Sequence, residues 1–381
     1  MILENSDKLN ILHLVSSHRW TGVAEPVTDL AFHQKKLGHN VSIACLGGSS
    51  FERRIQERQL DFIDGFFFNR FPNPLQIIGD LKLLKKNLNE KKIDVIHTHL
   101  LHDHWLAGLV HNPKKKNIIL VRTFHRHEPP RSDPFHKHLF LKKTNLKITI
   151  SKATRELICQ SLKIPEEEIE VIYGGVDIER FNPRNNGKEI REELKIPVDV
   201  PVIGLVARFR RDRGFQWLFE AIPLVLQNQP EVRFVFVGRG EMKRFIDENI
   251  RSLPYGKNII RAGYRRADLP QAYASFDVGL FLGLGSEGTC RAILEAMASA
   301  KPIIGINFGP VPEIIQNGEN GLLVTPQDPQ DLARAILTLT KDKSLLNKLG
   351  QNARMLVEKR FTSQERAEKT IFAYQKMFQK F

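Results

Sequence analysis

Short apolar runs alternate with stretches of helical spacing along the chain, in two successive sets. This alternation limits the fold more than any other feature. Strand, helix, strand units repeated in one direction make parallel sheets covered by helices on both faces. In the first set, Asn10 to Ser16 (NILHLVS) reads as a buried strand, and the polar loop SHRWTG leads to Pro26, which suits a first helical turn. Val27, Leu30, Ala31 and Leu37 then follow helical spacing with Gln34 alone off pattern, and Gly38 ends the helix before VSIACL. Further strands are legible at Val95 to His97, Ile118 to Thr123 and Lys147 to Ser151. The second set runs through Val202 to Val206, Arg233 to Val237, Asn258 to Ala262, Val278 to Leu282 and Pro302 to Ile306.

Between the sets, IYGGVDIERFNPR (Ile172 to Arg184) has a glycine pair, a proline and no periodicity, which marks a boundary. A chain of 381 residues also exceeds what one core usually supports. The expectation is an α/β chain of two Rossmann-like domains, 1–176 and 177–360, with a closing segment 361–381. Two such parallel sheets facing each other leave a cleft at their strand C-terminal ends, the natural place for chemistry.

Composition, 41% hydrophobic and 26% charged, is that of an ordinary folded protein. No apolar run approaches the roughly 20 residues that span a bilayer. The opening MILENSDKLNILHLV carries acidic residues where a secretory leader has basic ones, so the expected location is cytoplasmic. Cys45, Cys159 and Cys290 are too widely spaced for a zinc or redox pair and read as reduced thiols. The formal charge of +14 implies attraction to an anion, whether nucleic acid, phospholipid or phosphorylated substrate, and does not choose among them.

The most informative stretch is SEGTCRAILEAMASAKP, where Glu287 and Glu295 stand eight positions apart and Gly288 and Thr289 precede an apolar-periodic helix. Backbone N–H groups from Gly288 to Cys290 at a helix N-terminus suit a diphosphate, and the carboxylates can accept from sugar hydroxyls. Ion pairs along Glu287, Arg291 and Glu295, at i, i+4 spacing, are the plainer alternative. The Gly-rich apolar approach VGLFLGLGSEG favours the site, because it sets Glu287 at the tip of a buried strand.

This segment, EGTCRAILEAMA, resembles the E-x7-E signature of the family 4 retaining glycosyltransferases, whose fold is GT-B. In that family the first carboxylate grips donor-sugar hydroxyls, the following backbone meets sugar or phosphate, and the second carboxylate binds the ribose. The resemblance therefore assigns these roles to Glu287, to Gly288, Thr289 and Cys290, and to Glu295. It also implies a phosphate loop at WTGVAEP, with Gly22 in place and Thr21 breaking the usual glycine pair. In ARFRRDRG it matches Arg208 to the family's diphosphate-binding arginine and puts Arg213 where the family has lysine. VRTFHRH matches the strand-end histidine motif at His125, which would hydrogen-bond the donor sugar. VGRGE, AGYRRADLPQAY, where the backbone at Tyr264 would meet the base, and EIIQNGENGLLV follow in the family's order. FTSQERAEKTIFAYQKMF resembles its terminal helix, which crosses back onto the first domain.

The resemblance implies a retaining hexosyltransferase. It would take a sugar from a UDP- or GDP-sugar held by the second domain to a glycolipid or a lipopolysaccharide or polysaccharide precursor bound by the first. Catalysis would rest on His125, Arg208, Arg213 and Glu287, with no cofactor and no metal. HTHLLHDH (His97 to His104) invites a metal-hydrolase reading, but H-x-H-x-D-H needs an acid where Leu101 stands, and the chain has no D-x-D pair. A sugar-nucleotide epimerase shares the fold, and the E-x7-E segment argues against it. A nucleic-acid binder would account for basic runs such as Lys114 to Lys116, although no recognition motif accompanies them. A peripheral membrane position would account for the charge. Between Leu75 and Lys92, apolar residues at 77, 78, 81, 84 and 88 oppose Lys82, Lys85, Lys86 and Lys92, a pattern shared by membrane-surface helices and core-packed ones. PRSDPFHKHLFLKK adds aromatics beside lysines as a candidate acceptor loop.

Overall fold

The computed structural model describes residues 8–17, 23–68, 73–114, 117–284 and 290–380. The chain divides into two compact units, residues 1–175 with 363–381, and residues 176–362. In the first, seven strands form one parallel sheet: β1 (Asn10–Val15), β2 (Asn40–Cys45), β3 (Asp61–Ile63), β4 (Val95–Thr98), β5 (Ile119–Phe124), β6 (Leu146–Thr149) and β7 (Ile169–Val171), in the order β3-β2-β1-β4-β5-β6-β7. The second sheet comprises β8 (Val202–Val206), β9 (Arg233–Val237), β10 (Ile259–Gly263), β11 (Val278–Phe281), β12 (Ile303–Ile306) and β13 (Gly321–Val324), in the order β10-β9-β8-β11-β12-β13. Both follow the doubly wound 3-2-1-4-5-6 order, which reverses between β1 and β4 and again between β8 and β11.

Strands covered on both faces read as near-continuous apolar runs, and β1 shows why. Ile11 and Val15 face a cluster with Val27 and Ala31 of the helix Ala24–Lys36 and Ile371 and Tyr374 of the helix Ser363–Phe378. Leu12 and Leu14 face the opposite cluster, with Leu84, Leu88, Leu106 and Ala107. The terminal helix is thus part of the first unit's core. Arg366 fixes it there by donating to the Pro26 carbonyl, 2.8 Å away. The second unit closes on itself where the Val176 N–H donates to the Phe361 carbonyl at 2.9 Å.

The helix expected from Leu75 runs Pro74–Glu90, and its apolar stripe differs from the sequence reading. Leu84 and Leu88 are buried, but Ile78 is exposed and shares an outer face with exposed Leu75, Lys82, Lys85 and Lys86. In the candidate acceptor loop Phe135 is exposed, whereas Phe140 is buried against Phe124 and His104. Among the described residues, no helix is long and apolar enough to cross a membrane.

Candidate functional site

In the first unit, polar side chains replace apolar ones on one face of the sheet at the β1/β4 reversal. His13 of β1 lies in register with His97 of β4, and Thr123 of β5 continues the row. His13 Nε2 is 2.7 Å from Gln34 Oε1, His13 Nδ1 is 2.9 Å from His99 Nε2, and His99 Nδ1 is 2.9 Å from His125 Nε2. His97 branches off, 2.6 Å from both the Tyr374 hydroxyl and Thr123 Oγ1. Gln34, off pattern in the sequence, is buried because its amide binds His13 on one side and the Tyr374 hydroxyl on the other.

Burial holds His97, His99 and His125 well below the usual imidazole range, and pushes His13 down to about 4. The positive charges of Arg366 and Arg122 reinforce the shift at His97 and His125, so these rings are neutral near pH 7. Asp103 caps the helix Leu101–Val110 by accepting from the Leu100 N–H at 2.9 Å, and it also accepts from the Ser16 N–H at 3.1 Å. Desolvation pushes its carboxyl up to about 7 despite Arg122, 3.6 Å away.

The four histidines of HTHLLHDH therefore part company. His97 and His99 join the row, while His102 packs on Phe68 and Trp105, and His104 bonds to Thr144 Oγ1 at 2.8 Å. His13, His97 and His99 offer ring nitrogens within 4.8 Å of one another, spacing that could suit a metal. The donors fit one poorly. The facing His13 and His99 nitrogens are 2.9 Å apart, a hydrogen-bond distance, where two tetrahedral zinc ligands stand about 3.3 Å apart.

In the second unit, Arg208 and Arg213, both expected at the diphosphate, follow β8 at the β8/β11 reversal. Arg208 is exposed just after β8. Arg213 is buried at the end of a short turn, with Nε 3.8 Å from Asp212 Oδ1. The Leu284 N–H donates to the Asp212 carbonyl at 3.0 Å, tying that turn to the loop after β11. A Cβ at Gly283 would lie 3.0 Å from Arg213 Nη1, so the guanidinium sits against the glycine approach. Gly238, at φ +149°, allows a closer approach still, since a Cβ there would collide with the Ala207 carbonyl. The exposed ring of Tyr264 follows β10 and carries the Arg239 guanidinium 4.2 Å above its centroid, a contact unreadable from sequence.

The helix Arg291–Ala298 begins at buried Cys290, whose backbone is left-handed at φ +44°. Glu295 is buried, accepting from Arg291 Nε at 2.6 Å and from the Tyr273 hydroxyl at 2.9 Å. The i, i+4 pair thus forms, yet each carboxylate oxygen keeps an accepting position. Gly22, Glu287, Gly288 and Thr289 lie outside the described residues.

Two doubly wound parallel units, with basic and carboxylate side chains at the reversal of the second and a terminal helix packed on the first, place the chain in the GT-B fold class. The sequence matches the models for Glycosyltransferase Family 4 over residues 20–180 and Glycosyl transferases group 1 over residues 186–356. The chain belongs to glycosyltransferase family 4. It is 26% identical to an uncharacterized glycosyltransferase of Methanocaldococcus jannaschii, covering 75% of this chain and 76% of that one. It is 27% identical to the Escherichia coli UDP-Gal:alpha-D-GlcNAc-diphosphoundecaprenol alpha-1,3-galactosyltransferase, with 81% and 83% covered. The crystal structure of Anabaena HepE in complex with UDP superposes with a TM-score of 0.83 at 21% identity, covering 97% of this chain and 100% of that one.

Proposed function

We propose that this glycosyltransferase moves a hexose-type sugar, with retained configuration and without a metal, from a UDP- or GDP-sugar to a glycolipid or cell-envelope polysaccharide precursor. The observation that carries the donor side is the buried Arg213 guanidinium lying against Gly283, at the loop leading into SEGT. A fixed cation there can stabilise a leaving diphosphate as its charge develops. The UDP bound by the Anabaena protein and the UDP-Gal and alpha-D-GlcNAc-diphosphoundecaprenol named for the Escherichia coli relative support the donor and acceptor classes.

In this reading Arg208 and Arg213 hold the diphosphate with the backbone of Gly22, Gly288, Thr289 and Cys290. Glu287 and His125 position the sugar, Glu295 meets the ribose, and the backbone at Tyr264 meets the base. Retention follows if the acceptor attacks from the face the leaving phosphate vacates, the phosphate taking the acceptor's proton, so no carboxylate nucleophile is needed. Arg208→Ala is expected to lower kcat more than it weakens donor binding, and unchanged kcat removes that role from Arg208.

The test is a thermal-shift panel of UDP, GDP, ADP and their sugar conjugates with and without EDTA. A ligand that binds only the folded state at 100 times its Kd adds about 2.7 kcal/mol of stability. One nucleotide should raise Tm selectively and insensitively to EDTA. No shift with any of them defeats the donor reading, and a shift abolished by EDTA defeats the metal-free one.

The acceptor side is proposed to lie at the inner membrane surface, on the face where exposed Phe67, Leu75 and Ile78 adjoin Lys82, Lys85 and Lys86. Each lysine near an anionic surface contributes about 1 kcal/mol, so changing all three to glutamine should weaken binding to phosphatidylglycerol vesicles at least tenfold. Equal sedimentation with neutral and anionic vesicles contradicts this placement.

A further inference from the structure

The row of buried histidines has a direction, set at its inner end. Gln34 turns Nε2 toward the Tyr374 hydroxyl, 3.3 Å away, which leaves Oε1 to accept from His13 Nε2–H at 2.7 Å. Neutral His13 then carries its only proton on Nε2, and its Nδ1 must accept from His99 Nε2–H. By the same step His99 Nδ1 accepts from His125 Nε2–H. The chain ends at His125 Nδ1, buried and without a hydrogen-bond partner among the described residues. The reverse direction would bury an N–H there with no acceptor, a costlier defect than an unpaired lone pair.

We propose that Gln34, His13 and His99 are positioning residues that lock His125 as its Nε2–H tautomer, presenting the Nδ1 lone pair as acceptor for a hydroxyl of the bound sugar. An imidazole held by one neutral neighbour can exchange tautomers, and half of its encounters with a hydroxyl would then meet the wrong nitrogen. A chain anchored in a primary amide cannot exchange, because reversing it requires the amide and every ring to change together. The proposal rests on the reading of His125 as sugar-facing. Its structural half, the tautomer, does not depend on transfer.

Nitrogen NMR of the full chain labelled at histidine distinguishes the two ring nitrogens directly. His13, His99 and His125 should each show a protonated Nε2 and a bare Nδ1 near pH 7.5, and UDP-sugar binding should perturb the His125 Nδ1 resonance selectively. A protonated Nδ1 on His125, or exchange between tautomers, overturns the proposal. So does stoichiometric zinc in the purified protein displaced by His99→Leu, since a metal needs both nitrogens of the His13 and His99 pair as lone pairs. In kinetics, His99→Leu should lower kcat about tenfold with KM for the donor within about twofold, and should have no further effect in a His125→Ala background. Losses that multiply in the double variant overturn the relay. If His99→Leu does not fold, the NMR of the unaltered protein still decides. If no nucleotide shifts Tm while the tautomers are as stated, the donor reading fails and the locked ring stands.

Discussion

Below about pH 6 the first unit is expected to unfold while the second stays folded. All thirteen histidines of the chain lie before residue 139, and none lies in the second unit. His13, His97, His99 and His125 have lowered pKa values in the folded protein, so the unfolded chain binds protons that the native state refuses. Their contribution is fully present above the unfolded value near 6.5 and is lost as pH falls from there toward about 4, the folded value of His13. Asp103 works in the opposite sense. With its folded pKa raised to about 7, it favours the native state as pH falls from that value toward the ordinary carboxylate range. His104, buried and shifted down as well, offsets it. The four histidines of the row, at about 1.4 kcal/mol per pH unit each, remove about 5 kcal/mol between pH 6 and 5, comparable with the whole stability of a typical domain, and His39 and His111, also lowered by burial, act in the same sense. Urea titrations from pH 7.5 to 4.5 check this, with Trp105 reporting on the first unit and Trp217 on the second in variants that keep only one tryptophan. A Trp105 midpoint that holds steady between pH 7 and 5 would mean the rings are solvated or already charged.

The same histidines show where sequence stops being enough. The alternation of strands and helices was legible because parallel strands at a sheet's centre are apolar on both faces; β1, β2, β4 to β6 and β8 to β12 stand close to where their apolar runs lie. β3 and β7 leave little trace in the sequence, being three residues long and at the sheet edges, where fewer apolar side chains are needed. β13 lies inside the motif EIIQNGENGLLV, whose asparagines and glycines mask its short apolar run. HTHLLHDH drew attention to the right stretch for the wrong geometry, since its histidines lie on a strand end and a helix that aim them apart. In the sequence His13 is one polar residue in a buried strand, and Gln34 a break in a helical stripe. A polar residue in each of two apolar patterns that pack together was the available signal. Their pairing depends on β1/β4 register and on the terminal helix, which lies more than three hundred residues away in sequence.

Replacing Arg213 is expected to have the largest effect on turnover of any change in the second unit. The sequence supplied its charge and its place after β8, and the resemblance supplied a lysine at the same position; the contact with Gly283 came only from the fold. A guanidinium held in place before the reaction stabilises a leaving diphosphate without reorganising, and removing one such group costs about 100- to 1000-fold in kcat. Arg213→Ala should show that loss. Arg213→Lys keeps the charge but gives up the planar fork, so a loss of about tenfold is expected. Gly283→Ala separates position from charge. Its methyl would come 3.0 Å from Nη1 and 3.3 Å from Cδ, too close for the guanidinium to stay where it is, yet the side chain is flexible enough to move without unfolding the unit. A displaced cation of unchanged charge should lower kcat about tenfold while Tm of the second unit stays within a few degrees. Full turnover in Gly283→Ala alongside a large loss in Arg213→Ala would mean that the charge acts from a distance and the glycine contact is packing alone. Full turnover in both would remove Arg213 from the transition state and leave Arg208 as the cation to test against the diphosphate.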